Sequence, residues 1–272
     1  MRRKWKVYLP FAENMFKSNL AYKGSFYLFM VCSVFTPFIS YYLWMAIYGS
    51  APGGVLGGLT RNEMIVYIFM TYITSEVVTI GVAGDITDDV YEGAVSMTLI
   101  KPIDYRMSLI SRAIGTMLYR FVAPAVFVWI GLEIYKSAAL GMGVTSPVNI
   151  VCYLVSLCMS FFIYTLFDFC FGMMAFATTY MFGMKMAKTA ILSFLSGQLI
   201  PISFFPEVLQ QVFAFLPFSS MIYTPVMIYL GKYSGSGVAL ELGRQLLWIV
   251  LLYAAGSLLW KQITKRLVVL GG

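Results

Sequence analysis

Apolar runs bounded by charge, glycine or proline recur along the chain, and their lengths dictate its architecture. Residues 25–48 carry no charge, residues 64–83 carry only Glu76, and residues 148–177 carry only Asp168. Residues 108–135 contain Arg112 and Arg120 with Glu133 at the far end, residues 186–202 only Lys188, and residues 245–263 only Lys261. Each run is close to the ~20 residues that a helix needs to cross a hydrocarbon core of ~30 Å. The pattern therefore predicts six transmembrane helices and an all-α integral membrane protein. Pro37, near the middle of the first run, predicts a kink, and the excess length of 148–177 predicts tilt or protrusion. Glu76 does not prevent insertion. Nine Ile, Val and Phe residues in its run, at about −0.3 to −0.6 kcal/mol each, outweigh one acid at about +3 kcal/mol.

The connecting segments differ in kind. Residues 1–23 place Trp5, Leu9, Ala12, Phe16 and Leu20 at helical spacing opposite Lys6, Glu13 and Lys17. This predicts a basic amphipathic helix in the membrane interface, starting near Pro10 and retained as an anchor rather than cleaved. Residues 49–62 predict a flexible glycine-rich outer loop. Residues 201–231 are apolar but punctuated by Pro201, Pro206, Pro217 and Pro225, so neither piece can span alone. They predict two short helices dipping into the outer leaflet as a re-entrant hairpin.

Residues 84–106 stand apart as the one long polar interval with dense charge of both signs, from Asp85, Asp88, Asp89 and Glu92 to Lys101, Asp104 and Arg106. Such density requires water at one membrane face. Thr87 is the expected N-cap of a first short helix, Gly93 interrupts it, and residues 94–100 form a second with Val95 and Leu99 on one face before Pro102 ends it. The product is a small, partly apolar knob suited to docking a cytoplasmic partner. An ordinary solvated loop is the simpler alternative.

Composition agrees with the pattern. Hydrophobic residues make up 60% of the 272 and charged residues 11%, and the mean hydropathy is +0.81, which excludes an ordinary soluble domain. The net charge of +7 does not signify nucleic acid. Fourteen of the nineteen Lys and Arg residues fall on one side of this topology and four on the other. That asymmetry sets the knob and both termini in the cytoplasm. The chain has no His, and its four Cys lie within apolar runs without metal spacing, so neither a zinc site nor a disulfide framework is expected. No G-x-x-x-x-G-K-[ST] occurs, since Gly231-Lys232 is followed by Tyr233. The chain is therefore not expected to be an enzyme, and any ATP hydrolysis must come from a partner.

Glu76, Arg120 and Asp168 are the intramembrane charges, each costing about 2.5 to 3.5 kcal/mol if unpaired. Two arrangements relieve that cost. Arg120 snorkels or pairs with Glu76 or Asp168, or the two acids line an inward-facing cavity that attracts a cationic amphiphile. Pro124 leaves the Arg120 carbonyl without its helical partner and predicts irregular backbone there. Tyr41, Tyr42, Trp44 and Tyr48 read as an interfacial belt, and the methionines from Met173 to Met186 as packing. No internal repeat marks an inverted-repeat transporter.

The basic interfacial helix, the six runs, the interval EGAVSMTLIKPIDY, the block LSGQLIPISFFPEVLQQVFAFLPFSS and the ending KRLVVLGG together resemble the ABC-2 permease family. More narrowly, the likeness is to the bacterial branch whose chains end in Gly-Gly, and it covers nearly the whole chain. The resemblance implies a membrane subunit that pairs with a second permease, identical or related, and receives a cytoplasmic ATPase that alone binds ATP and Mg. By that resemblance Asp88, Asp89, Val90, Glu92, Val95, Met97 and Leu99 belong to a coupling helix seated in the ATPase. Pro201, Phe204, Phe205, Pro206 and Pro217 belong to an outer gate. The expected function is export of a hydrophobic or amphiphilic compound across the bacterial cytoplasmic membrane. The rivals are a proton-coupled secondary transporter using Glu76 and Asp168, and a membrane scaffold without transport.

Overall fold

The computed structural model describes residues 2–21, 23–50, 54–178 and 180–270, with the backbone alone for 2–5, 23–34, 99 and 266–270. Helices dominate. α1 (Arg2–Ala21) and α2 (Lys23–Gly49) lead into a hairpin of β1 (Val55–Leu56) and β2 (Leu59–Thr60). α3 (Arg61–Val78), α4 (Val82–Tyr91) and α5 (Ala94–Leu99) follow. α6 (Tyr105–Arg120) continues through a π-helical turn, Phe121–Ala125, into α7 (Val126–Ala138). α8 (Pro147–Gly172) ends in a 3-10 turn, Met173–Phe176, before α9 (Phe182–Leu195). A short turn, Ile202–Phe204, precedes α10 (Glu207–Phe215), α11 (Tyr223–Tyr229) and the long α12 (Ser236–Leu270).

Four stretches among the described residues are long and apolar enough to cross a membrane: Arg61–Tyr91, Tyr105–Ala138, Pro147–Phe176 and Ser236–Lys265. α2, at 27 residues, also has the length. α9 does not. Its 14 residues rise about 21 Å, short of a hydrocarbon core, because Gly197 adopts φ +78° and turns the chain where residues 196–202 are expected to continue the helix.

Burial shows which helix the bundle is built around. In the Arg61–Tyr91 stretch 72% of the most apolar window is buried, against 6% for Ser236–Lys265, so α3 is the central stave and α12 lines the outside. Met64, Met70, Ile73, Val77 and Val78 of α3 are fully enclosed. α8 covers α3, α4, α11 and α12 through Tyr153, Phe161 and Phe169. α12 is fastened to α8 by a buried amide. The Gln245 Nε2 donates to Ser160 Oγ at 3.0 Å and Ser220 O at 2.9 Å, and its Oε1 accepts from Ser156 Oγ at 3.0 Å.

Local chemistry explains several departures from expectation. The outer loop is not wholly loose, because Gly57 (φ +54°) and Gly58 (φ +75°) form the two-residue turn of the hairpin. Thr60 then caps α3 in a capping box with Glu63. Thr87 is not an N-cap. α4 begins five residues earlier, after Gly81, and the Thr87 hydroxyl donates to Ala83 O at 2.6 Å inside the helix. Likewise Pro10 lies within α1 rather than at its start. Pro124 does disturb its helix as expected, since the chain around it widens into the π-helical turn. Residues 201–231 do contain two short helices, α10 and α11.

A broken helix capped by charge, and the knob it carries

The second apolar run is two helices, not one. Between α3 and α4 the residues Thr79, Ile80 and Gly81 leave the helix, with Ile80 N bonded only to Val78 O and Val82 N only to Ile80 O among backbone groups, both at 2.9 Å. A break exposes the last carbonyls of α3 and the first amides of α4, which lipid cannot satisfy. Two intramembrane charges meet them. Arg120 Nη1 donates to Glu76 O at 3.2 Å and to Thr79 O at 3.1 Å. On the other side Asp168 Oδ2 accepts from Ala83 N at 2.8 Å. A cation thus sits at a helix C-terminus and an anion at a helix N-terminus, each with the sign the peptide dipoles favour.

Asp168 is fully buried, and its other oxygen takes a salt bridge from Lys188 of α9, which is 9% exposed. The structure therefore brings Glu76, Arg120 and Asp168 to one place, but through the main chain. Arg120 grips the carbonyl of Glu76, and Asp168 finds its cation in Lys188. Sequence reading set Lys188 at the interface as a topogenic charge. The signal it passed over is a lysine inside an apolar run with no acid of its own.

Below the break, α4 reaches Gly93 (φ +72°), which turns the chain into α5. The expected docking residues divide by exposure. Asp88, Glu92 and Met97 face outward, Met97 being 66% exposed. Asp89 instead accepts from Tyr105 Oη at 2.8 Å and lies 3.7 Å from Arg112, so it braces α4 against α6. Val90 packs against the core and Val95 is buried, while the Leu99 side chain lies outside the described residues. Sequence reasoning missed Tyr91 (49% exposed) and Ile100 (81%), which with Met97 form the apolar outer surface of the knob. The knob is rigidly joined to the bundle. Tyr105 stacks on Trp260 with centroids 5.0 Å apart, and Arg106 bonds Tyr253 Oη at 2.9 Å and Ser257 Oγ at 2.5 Å. Asp104 N donates to Tyr8 Oη of α1 at 2.9 Å.

At the opposite end, Phe204 packs edge-on to Trp44 at 5.1 Å, and Phe205 sits between Phe194 and Phe213, 5.2 Å from each. Pro201 and Pro217 are buried and Pro206 immediately precedes α10. Nearby, Glu133 accepts from Tyr229 and from Thr145 at 2.6 Å and pairs with Lys136, tying α7 to α11. Among the described residues no cluster of three His, Cys, Asp or Glu side chains suits a metal ion.

No characterised protein matches the chain in a search of curated sequences. A family model does, over residues 34–271, nearly everything after α1, and its description is ABC-2 family transporter protein. With a match of that extent over this broken-helix bundle, the chain belongs to the ABC-2 family of membrane transporter proteins.

Proposed function

We propose that the chain is the permease subunit of an ATP-driven exporter in the bacterial cytoplasmic membrane. It works as a pair with a second permease, identical or related, and takes its energy from a separate cytoplasmic ATPase that holds ATP and Mg. The cargo is a hydrophobic or amphiphilic compound, and both termini of the chain lie in the cytoplasm. One observation carries this reading: the knob of α4 and α5 offers Tyr91, Met97 and Ile100 to solvent beside Asp88 and Glu92, while its root is held by a buried carboxylate. A displacement of the knob travels along α4 as a rigid rod to Ala83, and from there through Asp168 to α8 and Lys188 of α9. The break above Gly81 lets α4 tilt without bending α3. In this reading ATPase closure pushes the knob and the proline-rich outer block opens in response.

The test is purification of the tagged chain from its native membrane in mild detergent, with identification of co-purifying proteins by mass spectrometry. An ATPase bearing a Walker A motif is expected. Met97→Asp with Ile100→Asp, both exposed positions, should release it while the chain keeps its melting temperature. Recovery of the chain alone from gentle extraction, together with proton-coupled uptake lost in Glu76→Gln, would establish the secondary transporter instead.

A further inference from the structure

We infer that the cleft beside the α3–α4 break binds an amphiphile whose head group is uncharged and rich in hydroxyls, as in a glycoside. The inference rests on the permease reading and names the class of its cargo. A cavity of about 260 Å³ opens between α3, α8, α9 and the turn into α11, and Ser75, Thr79, Thr189, Ser193, Ser196 and Gln198 supply its polar wall. Among the described residues none that lines it is charged. Glu76 follows Ser75 in the chain yet is not part of the wall, Arg120 is engaged with the carbonyls of the break, and Asp168 with Ala83 and Lys188. A cation seated there would meet no carboxylate in the described wall, and a desolvated charge without a direct partner is far costlier than a neutral group that can hydrogen-bond.

Ser196 points to a ligand of that neutral kind. It is 1% exposed, it belongs to the cavity wall, and its Oγ, itself shielded from solvent, has no hydrogen-bond partner among the described residues. An orphan hydroxyl in a nonpolar bundle is unfavourable, and a χ1 turn toward the cavity lets a head-group hydroxyl satisfy it. Gln198 stands at the mouth, exposed, with its Nε2 donating to Ser75 Oγ at 2.9 Å across the gap between α9 and α3. Ser193 and Gln198 also border a second compartment of about 140 Å³, whose remaining walls mix Pro37, Trp44, Met64 and Leu199 with the hydroxyl-bearing Thr36, Ser40 and Thr71. The first compartment is walled mainly by hydroxyls and an amide and the second is the more apolar of the two, a gradient that suits the two-part shape of an amphiphile. Each compartment is below the ~300 to 1,000 Å³ of a site that encloses a drug-sized molecule. The cleft therefore takes a head group and the start of a chain.

The test uses the full chain in phosphatidylcholine nanodiscs and three photoreactive probes with one common diazirine-bearing alkyl tail. Their heads are β-glucoside, trimethylammonium and sulfate. The glucoside probe should label the segments around Ser75 and Ser193 to Gln198 most strongly, with excess unlabelled alkyl glucoside displacing it. Ser196→Ala with Gln198→Leu should weaken glucoside labelling about tenfold, the effect of removing two neutral hydrogen bonds, and leave trimethylammonium labelling unchanged. Equal labelling by the three heads, preference for either charged head, or indifference to the substitutions overturns the proposal. Should the double variant misfold, Gln198→Leu alone at the exposed mouth decides. A chain that captures an ATPase but shows no head preference retains the exporter reading and loses this site. Head preference in a chain that captures none has the opposite meaning.

Discussion

Asp168 of α8 accepts a hydrogen bond from the backbone amide of Ala83 at 2.8 Å, so the buried acid of one transmembrane helix forms the floor on which the first turn of α4 stands. A carboxylate inside a membrane protein is often read as a ligand or proton site. Here its two oxygens are taken by a peptide N–H and by Lys188, which makes its role positional.

Asp168→Ala should therefore be among the most damaging single changes in the chain. It uncaps α4 and leaves the Lys188 ammonium buried without its partner, a loss of about 3 to 5 kcal/mol. Asp168→Asn with Lys188→Met should recover much of it, because the amide oxygen can still accept from Ala83 and no charge is stranded. Thermal unfolding of the purified variants checks this. A double variant no more stable than Asp168→Ala would refute the assignment of the cost to the stranded lysine.

The Arg120 clamp predicts a local effect rather than a global one. One nitrogen, Nη1, serves both carbonyls of the break, so a lysine could replace it in part and a methionine could not. Arg120→Met should raise hydrogen exchange of the amides from Ile80 to Asp85 about tenfold, from losing ~1.5 kcal/mol of charge-assisted bonding. Arg120→Lys should fall between it and the parent. Uniform exchange across α3 and α4 in all three proteins would show that the break is held by other contacts.

Much of this arrangement was legible in the residues, and what was not has a common cause. Run length and charge gave an all-helical membrane bundle, the knob and the disturbance at Pro124, because each depends on neighbours in sequence, but not the break in the second run or the shortness of the fifth. The carbonyls that Arg120 holds and the Ala83 amide that Asp168 holds did not emerge, since pairwise reasoning over side chains cannot propose a backbone group. Lys188 was masked by the general rule for interfacial basic residues. Helical spacing sets Val95 and Leu99 on one face of the second short helix, offered to a partner, yet α5 turns Val95 into the bundle and exposes Met97, two residues on and so on the opposite face, and which face is covered only packing decides. The hairpin before α3 was signalled by Gly57 and Gly58 but drowned in a glycine-rich stretch.

Gln245 offers a separate test of how α12 is held. Its helix exposes Leu246, Leu247, Val250 and Leu251, and the side-chain amide joins Ser156, Ser160 and the Ser220 carbonyl in a buried network. Gln245→Leu keeps roughly the volume but leaves the Ser156 hydroxyl without its acceptor, while Ser160 Oγ still donates to Ser220 O at 2.8 Å, at a cost of about 1 to 3 kcal/mol. Removing the Ser156 hydroxyl as well, as alanine, should return part of it. A Gln245→Leu protein as stable as the parent would mean that the network contributes nothing net.

The seam between α1 and α6 rests on a single absent side chain. Gly115 is buried in α6 directly under the backbone of Ala12, and a Cβ there would lie within bonding-like distance of the Ala12 carbonyl. Backbone is the opposing surface, so no rotamer change relieves the clash. Phe16 meets Tyr119 edge-on at 6.4 Å one turn further along, and Tyr8 reaches Asp104 at the other end, so the seam runs along α1 from Tyr8 to Phe16. Gly115→Ala should push α1 off α6 at a cost of about 1 to 3 kcal/mol, and Gly115→Val should do so more completely. Because α1 precedes the family-matched residues 34–271 and makes few other contacts, the bundle itself should stay folded. Limited proteolysis should then cleave within residues 6–21 in the variants and not in the parent, while cysteine accessibility at Cys152 and Cys170 stays unchanged. Simultaneous loss of protection at both places would show instead that α1 is integral to the fold of the bundle.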